Sequence, residues 1–122
     1  MNRRTRSFFL VEDEALIRMM LVDMLEELGH AVVAEAGGIE DALRLAHDPS
    51  FEIAILDINL GGPTSTPVAD ILARRSVPFV FASGYGQDDL PEGFKNRPML
   101  RKPFQMDDLD RAIRAALAEH EN

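Results

Sequence analysis

Residues 51–57 read Phe51-Glu52-Ile53-Ala54-Ile55-Leu56-Asp57, and they are the clearest indication of the fold. Its apolar run is short, almost continuous and closed by a carboxylate. Such a run is typical of a strand that is buried on both faces of a parallel sheet. Similar apolar runs lie at residues 8–11, 31–34 and 77–82, and a shorter one lies at residues 99–100. The sequence therefore predicts five strands, four of which are apolar on both faces.

Amphipathic stretches of helical length separate these runs. They predict helices over residues 14–28, 39–46, 66–75 and 106–119. Short apolar strands that alternate with helices indicate a doubly wound α/β fold, in which helices cover both faces of a parallel sheet. In such sheets the ligand site lies at the carboxyl ends of the strands.

Two helix starts and one buried face can be predicted in more detail. Asp13 is placed to cap the first helix, and Thr66 to cap the third, with Pro67 at the first helical position. Apolar residues in the first helix recur at intervals of three and four and predict its buried face. They are Leu16, Met19, Met20, Met24 and Leu28.

Residues 86–98 interrupt the alternation between the fourth and fifth strands. The segment contains Gly86, Pro91, Gly93 and Pro98. Inside a helix a proline costs about 3 kcal/mol and a glycine about 1 kcal/mol. We therefore expect a loop here, with at most one short helical turn.

Length and composition limit the class of protein. The chain has 122 residues, of which 46% are hydrophobic, and this suits one domain with a single core. Its net charge of −8 disfavours binding to nucleic acids and to anionic membranes. It has no cysteine, and no apolar run approaches the roughly 20 residues of a membrane span. These features predict a cytoplasmic protein without disulfides or thiolate metal sites.

We assign no functional role to the N-terminal arginine cluster or to the histidines. The only basic cluster, Arg3, Arg4 and Arg6, is expected to be a solvated tail. The histidines are scattered without metal-ligand spacing and are expected at the surface. They are His30, His47 and His120.

Polar residues follow four of the predicted strands at one edge of the sheet. Glu12 and Asp13 end the first run, Asp57 ends the third, Ser83 the fourth and Lys102 the fifth. Three neighbouring carboxylates repel one another unless a cation is present. Their hard oxygens suit Mg²⁺, or Mn²⁺, which would also bridge to phosphate.

This group of residues suits phosphoryl transfer to a carboxylate. An aspartate can attack phosphorus, and a metal, a lysine and a hydroxyl can hold the charge on the equatorial oxygens. Taken singly, each residue also has a structural explanation: Asp13 as a helix cap, Ser83 in a turn, and Glu12, Asp57 and Lys102 as ordinary strand-end residues. Their convergence on one edge favours the functional interpretation.

The sequence resembles the receiver domain of bacterial response regulators over about residues 7–117. Four motifs carry the resemblance: Val11-Glu12-Asp13-Glu14, Leu56-Asp57-Ile58-Asn59-Leu60, Ala82-Ser83-Gly84-Tyr85 and Arg101-Lys102-Pro103-Phe104. The resemblance implies a flavodoxin-like sheet of five parallel strands in the order 2-1-3-4-5, with a degraded fourth helix. It also implies a single receiver domain over residues 1–122, with a core at about 7–119 and no effector domain.

The resemblance also implies a role for each matched residue. Asp57 is the phosphoacceptor. Glu12 and Asp13 bind Mg²⁺ together with Asp57, and Asn59 adds its backbone carbonyl. Ser83 is the switch hydroxyl that closes onto the phosphoryl group. Lys102 pairs with a phosphoryl oxygen, and the bond to Pro103 resembles the cis peptide that aims it into the site.

One position departs from the family pattern. The aromatic switch residue that usually lies three positions before the lysine is Met99 here. Residues 78–86, Pro-Phe-Val-Phe-Ala-Ser-Gly-Tyr-Gly, resemble a receiver subfamily with a Phe-Ala-Thr-Gly-Tyr motif, which lacks that aromatic and has a degraded fourth helix. We hypothesise that Tyr85 and the loop at residues 86–98 act as the switch instead.

The implied partners are a sensor histidine kinase or phosphotransfer protein and a downstream protein. The domain would be a self-phosphorylating signalling switch rather than an enzyme, and we expect a stand-alone monomer, although a piece of a hybrid kinase stays open. The alternative within the fold is a binding module that is never phosphorylated. A phosphatase would need a second aspartate at Asn59 as its acid/base, and a flavin module would need a phosphate-binding loop where Glu12 and Asp13 lie.

Overall fold

The computed structural model describes residues 5–121, without the side chains of Gln87, His120 and Glu121. Five strands alternate with four α-helices and one 3₁₀ turn. In chain order they are β1 Ser7–Val11, α1 Ala15–Glu27, β2 Ala31–Ala36, α2 Ile39–Leu45, β3 Ile53–Asp57, α3 Thr66–Arg74, β4 Phe79–Ser83, the 3₁₀ turn Gln87–Asp89, β5 Met99–Arg101 and α4 Met106–Glu121.

The strands form one parallel sheet in the order β2-β1-β3-β4-β5. The predicted doubly wound fold and strand order are confirmed. One face of the sheet packs against α2 and α3 through residues such as Phe9, Leu56 and Leu72. The other face packs against α1 and α4 through residues such as Ile55 and Leu25. Every residue of β3 and β4 is buried, as expected for central parallel strands.

Strand β2 does not fit the prediction of a strand buried on both faces. Its residues alternate between exposed and half-buried, and only Ala36 is buried. The reason is its place at the sheet edge, where it pairs with β1 alone. Val33 accordingly lies 46% exposed.

The predicted buried face of α1 is wrong in three of its five residues. Leu16, Met19 and Met20 are exposed, whereas Leu21 and Leu25 are buried. Helix α1 carries apolar residues on both sides, so its periodicity did not distinguish the core face from the outer one. Met24 and Leu28 pack partly against the core, as predicted.

Both predicted helix caps are wrong by one residue. Glu14, not Asp13, is the N-cap of α1, and no side chain caps this helix. Ser65, not Thr66, is the N-cap of α3, which places Pro67 second in the helix. Asp13 is left in the turn that follows β1, where its carboxylate joins the acidic cluster described below.

The β4–β5 connection contains the 3₁₀ turn alone, as predicted for residues 86–98. The buried side chains of Leu90 and Phe94 anchor this loop to the core. The ring of Phe94 packs edge-on against Phe79 and Phe81, at centroid distances of 5.8 and 5.7 Å. The connection is therefore irregular in backbone but attached at two points.

His30 is buried, contrary to the prediction that it lies at the surface. It packs against the ring of Phe8, and its Nδ1 accepts a hydrogen bond from the backbone N–H of Arg6. His47 is exposed as predicted. Arg3, Arg4 and the side chain of His120 lie outside the described residues. Among the described residues, no helix has the length and apolar character that a membrane crossing requires.

Candidate functional site

Glu12 is the buried centre of the site at the carboxyl end of the sheet. It follows β1 directly and is 1% exposed. Its Oε1 accepts a hydrogen bond from Lys102 Nζ at 2.8 Å, and its Oε2 accepts one from the backbone N–H of Glu14 at 3.1 Å. A buried carboxylate needs such donors, because burial without them costs several kcal/mol.

Asp57 closes β3, the central strand of the sheet, and its side chain is 11% exposed. Its Oδ2 lies 3.3 Å from Lys102 Nζ. Burial, and then the charge of Glu12, raise the pKa of Asp57 to about 7 despite the opposing charge of Lys102. Burial and the neighbouring acid therefore outweigh the lysine and favour the protonated form of Asp57.

Lys102 joins the two buried acids. It follows β5, and its backbone N–H donates to the carbonyl of Ser83 at 2.8 Å, which ties the two strand ends together. Burial alone would lower the pKa of Lys102, but the hydrogen bond to Glu12 and the charge of Asp57 outweigh it and raise the pKa. The lysine is thus held as a charged ammonium. The Lys102–Pro103 peptide bond is cis, as the resemblance implied.

The carboxylates of Glu12, Asp13 and Asp57 meet closely enough for one small cation. One oxygen from each lies within 4.8 Å of the others. In an octahedral Mg²⁺ site with bonds of about 2.1 Å, ligand oxygens lie roughly 3 to 4 Å apart. Asp13 is exposed, so it can rotate to close the difference. The oxygen-only donor set and the excess negative charge both fit Mg²⁺.

A cavity of about 300 Å³ opens beside Asp57. Ser83, Tyr85 and Asn59 are among the residues that line it. The Ser83 hydroxyl is buried, accepts the backbone N–H of Tyr85 at 3.0 Å and donates to Asp89 Oδ2 at 2.8 Å. The cavity gives a small group access to Asp57.

The remaining predicted residues surround this site. Asn59 is exposed, and its Oδ1 accepts the backbone N–H of Gly62 at 3.0 Å. Tyr85 is 73% exposed. Met99 is half-buried in β5, where it pairs with Phe81. All the predicted acids, the serine and the lysine thus lie at one edge of the sheet.

Two residues that contact the site, Arg18 and Asp89, were not predicted. Arg18 in α1 donates from Nη1 to the backbone carbonyl of Glu12 at 2.5 Å and from Nε to Glu35 at 3.2 Å. Asp89 holds the Ser83 hydroxyl. Neither residue carries a motif that signals the contact. Although the contact of each with Glu12 or Ser83 spans only six residues, it depends on the conformation of the turn between the two partners.

The model of the response regulator receiver domain matches residues 8–114. The chain is similar to SdrG from Sphingomonas melonis Fr1, with 46% identity and a TM-score of 0.83, over 93% of this chain and 97% of that structure. The BeF3-activated conformation of SdrG, from Pseudomonas melonis Fr1, gives a TM-score of 0.79 at the same identity, over 91% and 95%.

Larger regulators contain a similar domain. The transcriptional regulatory protein PdtaR of Mycobacterium tuberculosis is 35% identical over 93% of this chain and 57% of its own length. The anti-anti-sigma factor PhyR from Bartonella quintana is 27% identical, with a TM-score of 0.79, over 98% of this chain and 50% of that one.

The chain spans about half the length of the curated relatives that it matches. The family match, in contrast, covers most of this chain, and the sheet order and acidic edge agree with it. The chain belongs to the response regulator receiver domain family.

Proposed function

We propose that Asp57 accepts a phosphoryl group from a phosphohistidine of a partner kinase or phosphotransfer protein, with Mg²⁺ bound. The observation that carries the proposal is the position of Asp57. Its carboxylate lies between two further acids and an ammonium group, beside a cavity open to a small ligand. This is the arrangement that in-line attack on phosphorus requires.

The transfer needs only one bond to form and one to break. An oxygen of Asp57 attacks phosphorus, the bond between phosphorus and the partner's imidazole nitrogen breaks, and the electron pair stays with the imidazole. A Mg²⁺ held by Glu12, Asp13, Asp57 and the Asn59 carbonyl would neutralise charge on the acids and on the phosphoryl oxygens. Lys102, already within 3.3 Å of Asp57, can stabilise a phosphoryl oxygen.

The chain phosphorylated on Asp57 would act as a signal rather than as an intermediate of a catalytic cycle. A phosphoryl group brings roughly −1.5 to −2 of charge to the site. Ser83 and Lys102 would move to meet it, and the Ser83 carbonyl already links the two residues. We propose that Tyr85 and residues 86–98 carry the change to a downstream protein. The BeF3-activated conformation of the similar SdrG supports activation of this chain by a phosphoryl group.

Intact mass spectrometry after incubation with acetyl phosphate and Mg²⁺ tests the proposal. The wild-type chain should gain the mass of one phosphoryl group, and Asp57→Asn or addition of EDTA should abolish the gain. Phosphotransfer from a panel of the host's histidine kinases would then identify the donor. A wild-type chain that stays unmodified with both donors would instead indicate a phosphorylation-independent binding module.

A further inference from the structure

The single hydrogen-bond donor of the Ser83 hydroxyl is already used in the unphosphorylated chain. It accepts the Tyr85 N–H at 3.0 Å and donates its one proton to Asp89 Oδ2 at 2.8 Å. A serine hydroxyl has a single proton to donate. Ser83 therefore cannot donate to a phosphoryl oxygen until its bond to Asp89 breaks.

Asp89 is positioned for this contact by the loop. It ends the 3₁₀ turn, and its backbone N–H donates to the Gly86 carbonyl at 3.0 Å. The next residue, Leu90, is 2% exposed and fixes the turn to the core. Asp89 also lines the same cavity as Asp57, so it faces the space into which a phosphoryl group on Asp57 would extend.

We propose that Asp89 is a positioning residue that stands in for the phosphoryl group. In the resting state its carboxylate holds the Ser83 hydroxyl away from Asp57. A phosphoryl group on Asp57 must take over that hydrogen bond, which releases Asp89 and with it the 3₁₀ turn. This inference rests on the proposed function, because it needs a phosphoryl group at Asp57.

The hydrogen bond between Ser83 and Asp89 favours the resting state of the switch. When the Ser83 hydroxyl exchanges the Asp89 carboxylate for a phosphoryl oxygen, a change at Asp57 is coupled to the loop that contains Asp89. Asp89 also disfavours entry of an anion by its charge, so two effects oppose the phosphorylated state. Removal of the carboxylate should shift the equilibrium toward the active conformation.

Beryllofluoride, a stable mimic of the phosphoryl group, measures that shift. Fluorine NMR titrations with excess Mg²⁺ would give its affinity for the wild-type chain, Asp89→Ala, Asp89→Asn and Ser83→Ala. We expect Asp89→Ala to bind about tenfold more tightly, the size of one hydrogen bond to a charged group. Asp89→Asn, which keeps an acceptor, should lie between Asp89→Ala and wild type.

Asp88→Ala is the matched control, because it removes an equal charge from the same turn and leaves the Ser83–Asp89 bond in place. Its affinity should stay close to wild type. In a Ser83→Ala background, Asp89→Ala should change the affinity for beryllofluoride little, since the hydroxyl that Asp89 restrains is absent. Hydrogen exchange should show residues 87–89 opening when beryllofluoride binds to wild type.

The outcomes separate this inference from the proposed function. If wild type does not bind beryllofluoride, both are overturned. If wild type binds and Asp89→Ala binds equally well, only the role of Asp89 is overturned. The role of Asp89 is also overturned if Asp88→Ala raises the affinity for beryllofluoride as much as Asp89→Ala does. The same conclusion follows if Asp89→Ala raises that affinity equally in the Ser83→Ala background.

Discussion

At the scale of the residue, the charge of Asp57 depends strongly on its surroundings. Burial and the charge of Glu12 raise its pKa to about 7, from 3.8 for an unperturbed aspartate. Between these values the native chain binds more protons than the unfolded chain. Stability in EDTA should therefore fall as the pH rises from about 4 to about 7 and then level off.

Urea denaturation across this pH range measures the effect. Asp57→Asn should remove the fall that Asp57 causes, so the difference between the two chains isolates this residue from other titrating groups. Mg²⁺ should recover stability at pH values above about 7, where its ligands are ionised. Parallel pH profiles for wild type and Asp57→Asn in EDTA would contradict the assigned cause.

Arg18 is the residue through which α1 holds the acidic turn. Its contact to the Glu12 carbonyl fixes the backbone that carries Glu12 and Asp13, and its guanidinium lies against Gly37, where a Cβ would come within 3.1 Å of Nη1. Arg18→Ala should weaken Mg²⁺ binding roughly tenfold, as loss of an outer-shell contact to a metal site commonly does. Isothermal titration calorimetry with MgCl₂ measures the change.

Glu35→Ala separates this role from simple stabilisation. It removes the half-exposed Arg18–Glu35 ion pair, worth little by itself, and leaves the contact to Glu12. The Mg²⁺ affinity of Glu35→Ala should remain close to that of wild type. Arg18→Lys keeps a positive charge but lacks the second donor group, so its Mg²⁺ affinity should lie between those of wild type and Arg18→Ala. Equal losses in Arg18→Ala and Glu35→Ala would refute the positioning role.

At the scale of the element, the sequence predicts the parts whose contacts are local or repetitive. Strand β3 and Asp57 could be recognised because the apolar run is continuous and ends in a single acid. The core face of α1 could not, because Leu16 and Leu21 belong to opposite faces that are both partly apolar. The burial of His30 depends on packing against distant residues such as Phe8. The contact of Asp89 with Ser83 spans only six residues, but it depends on the conformation of an irregular loop that has no periodic pattern.

The β4–β5 loop is the element that we expect to respond to phosphorylation. Tyr85, directly before residues 86–98, has an exposed ring, while its backbone N–H donates to the Ser83 hydroxyl. In wild type, beryllofluoride should change hydrogen exchange over residues 86–98. Tyr85→Ala should lose most of that response, because the side chain is absent although the backbone bond to Ser83 can remain.

Tyr85→Phe is the matched variant, since it keeps the ring and removes only the hydroxyl. A response that survives in Tyr85→Phe and not in Tyr85→Ala assigns the coupling to the ring. If Tyr85→Ala responds exactly as wild type does, the tyrosine is not part of the switch, and the loop moves through Ser83 and Asp89 alone.

At the scale of the whole molecule, one sheet serves two separate apolar layers. Leu25 of α1 is buried on one face and Leu72 of α3 on the other, and both are 0% exposed. Because β1, β3 and β4 contribute to both layers, neither layer can come apart without the other. We therefore expect the chain to unfold in a single cooperative transition.

Leu25→Ala and Leu72→Ala test this expectation from opposite faces. Each should lower the free energy of unfolding by about 2 to 5 kcal/mol, through lost burial and the cavity left behind. Urea denaturation followed by far- and near-ultraviolet circular dichroism should give one midpoint for each variant, shifted equally for both probes. Two separate midpoints in either variant would mean that its layer unfolds by itself, and a change at the site could then not be transmitted through the sheet as one unit.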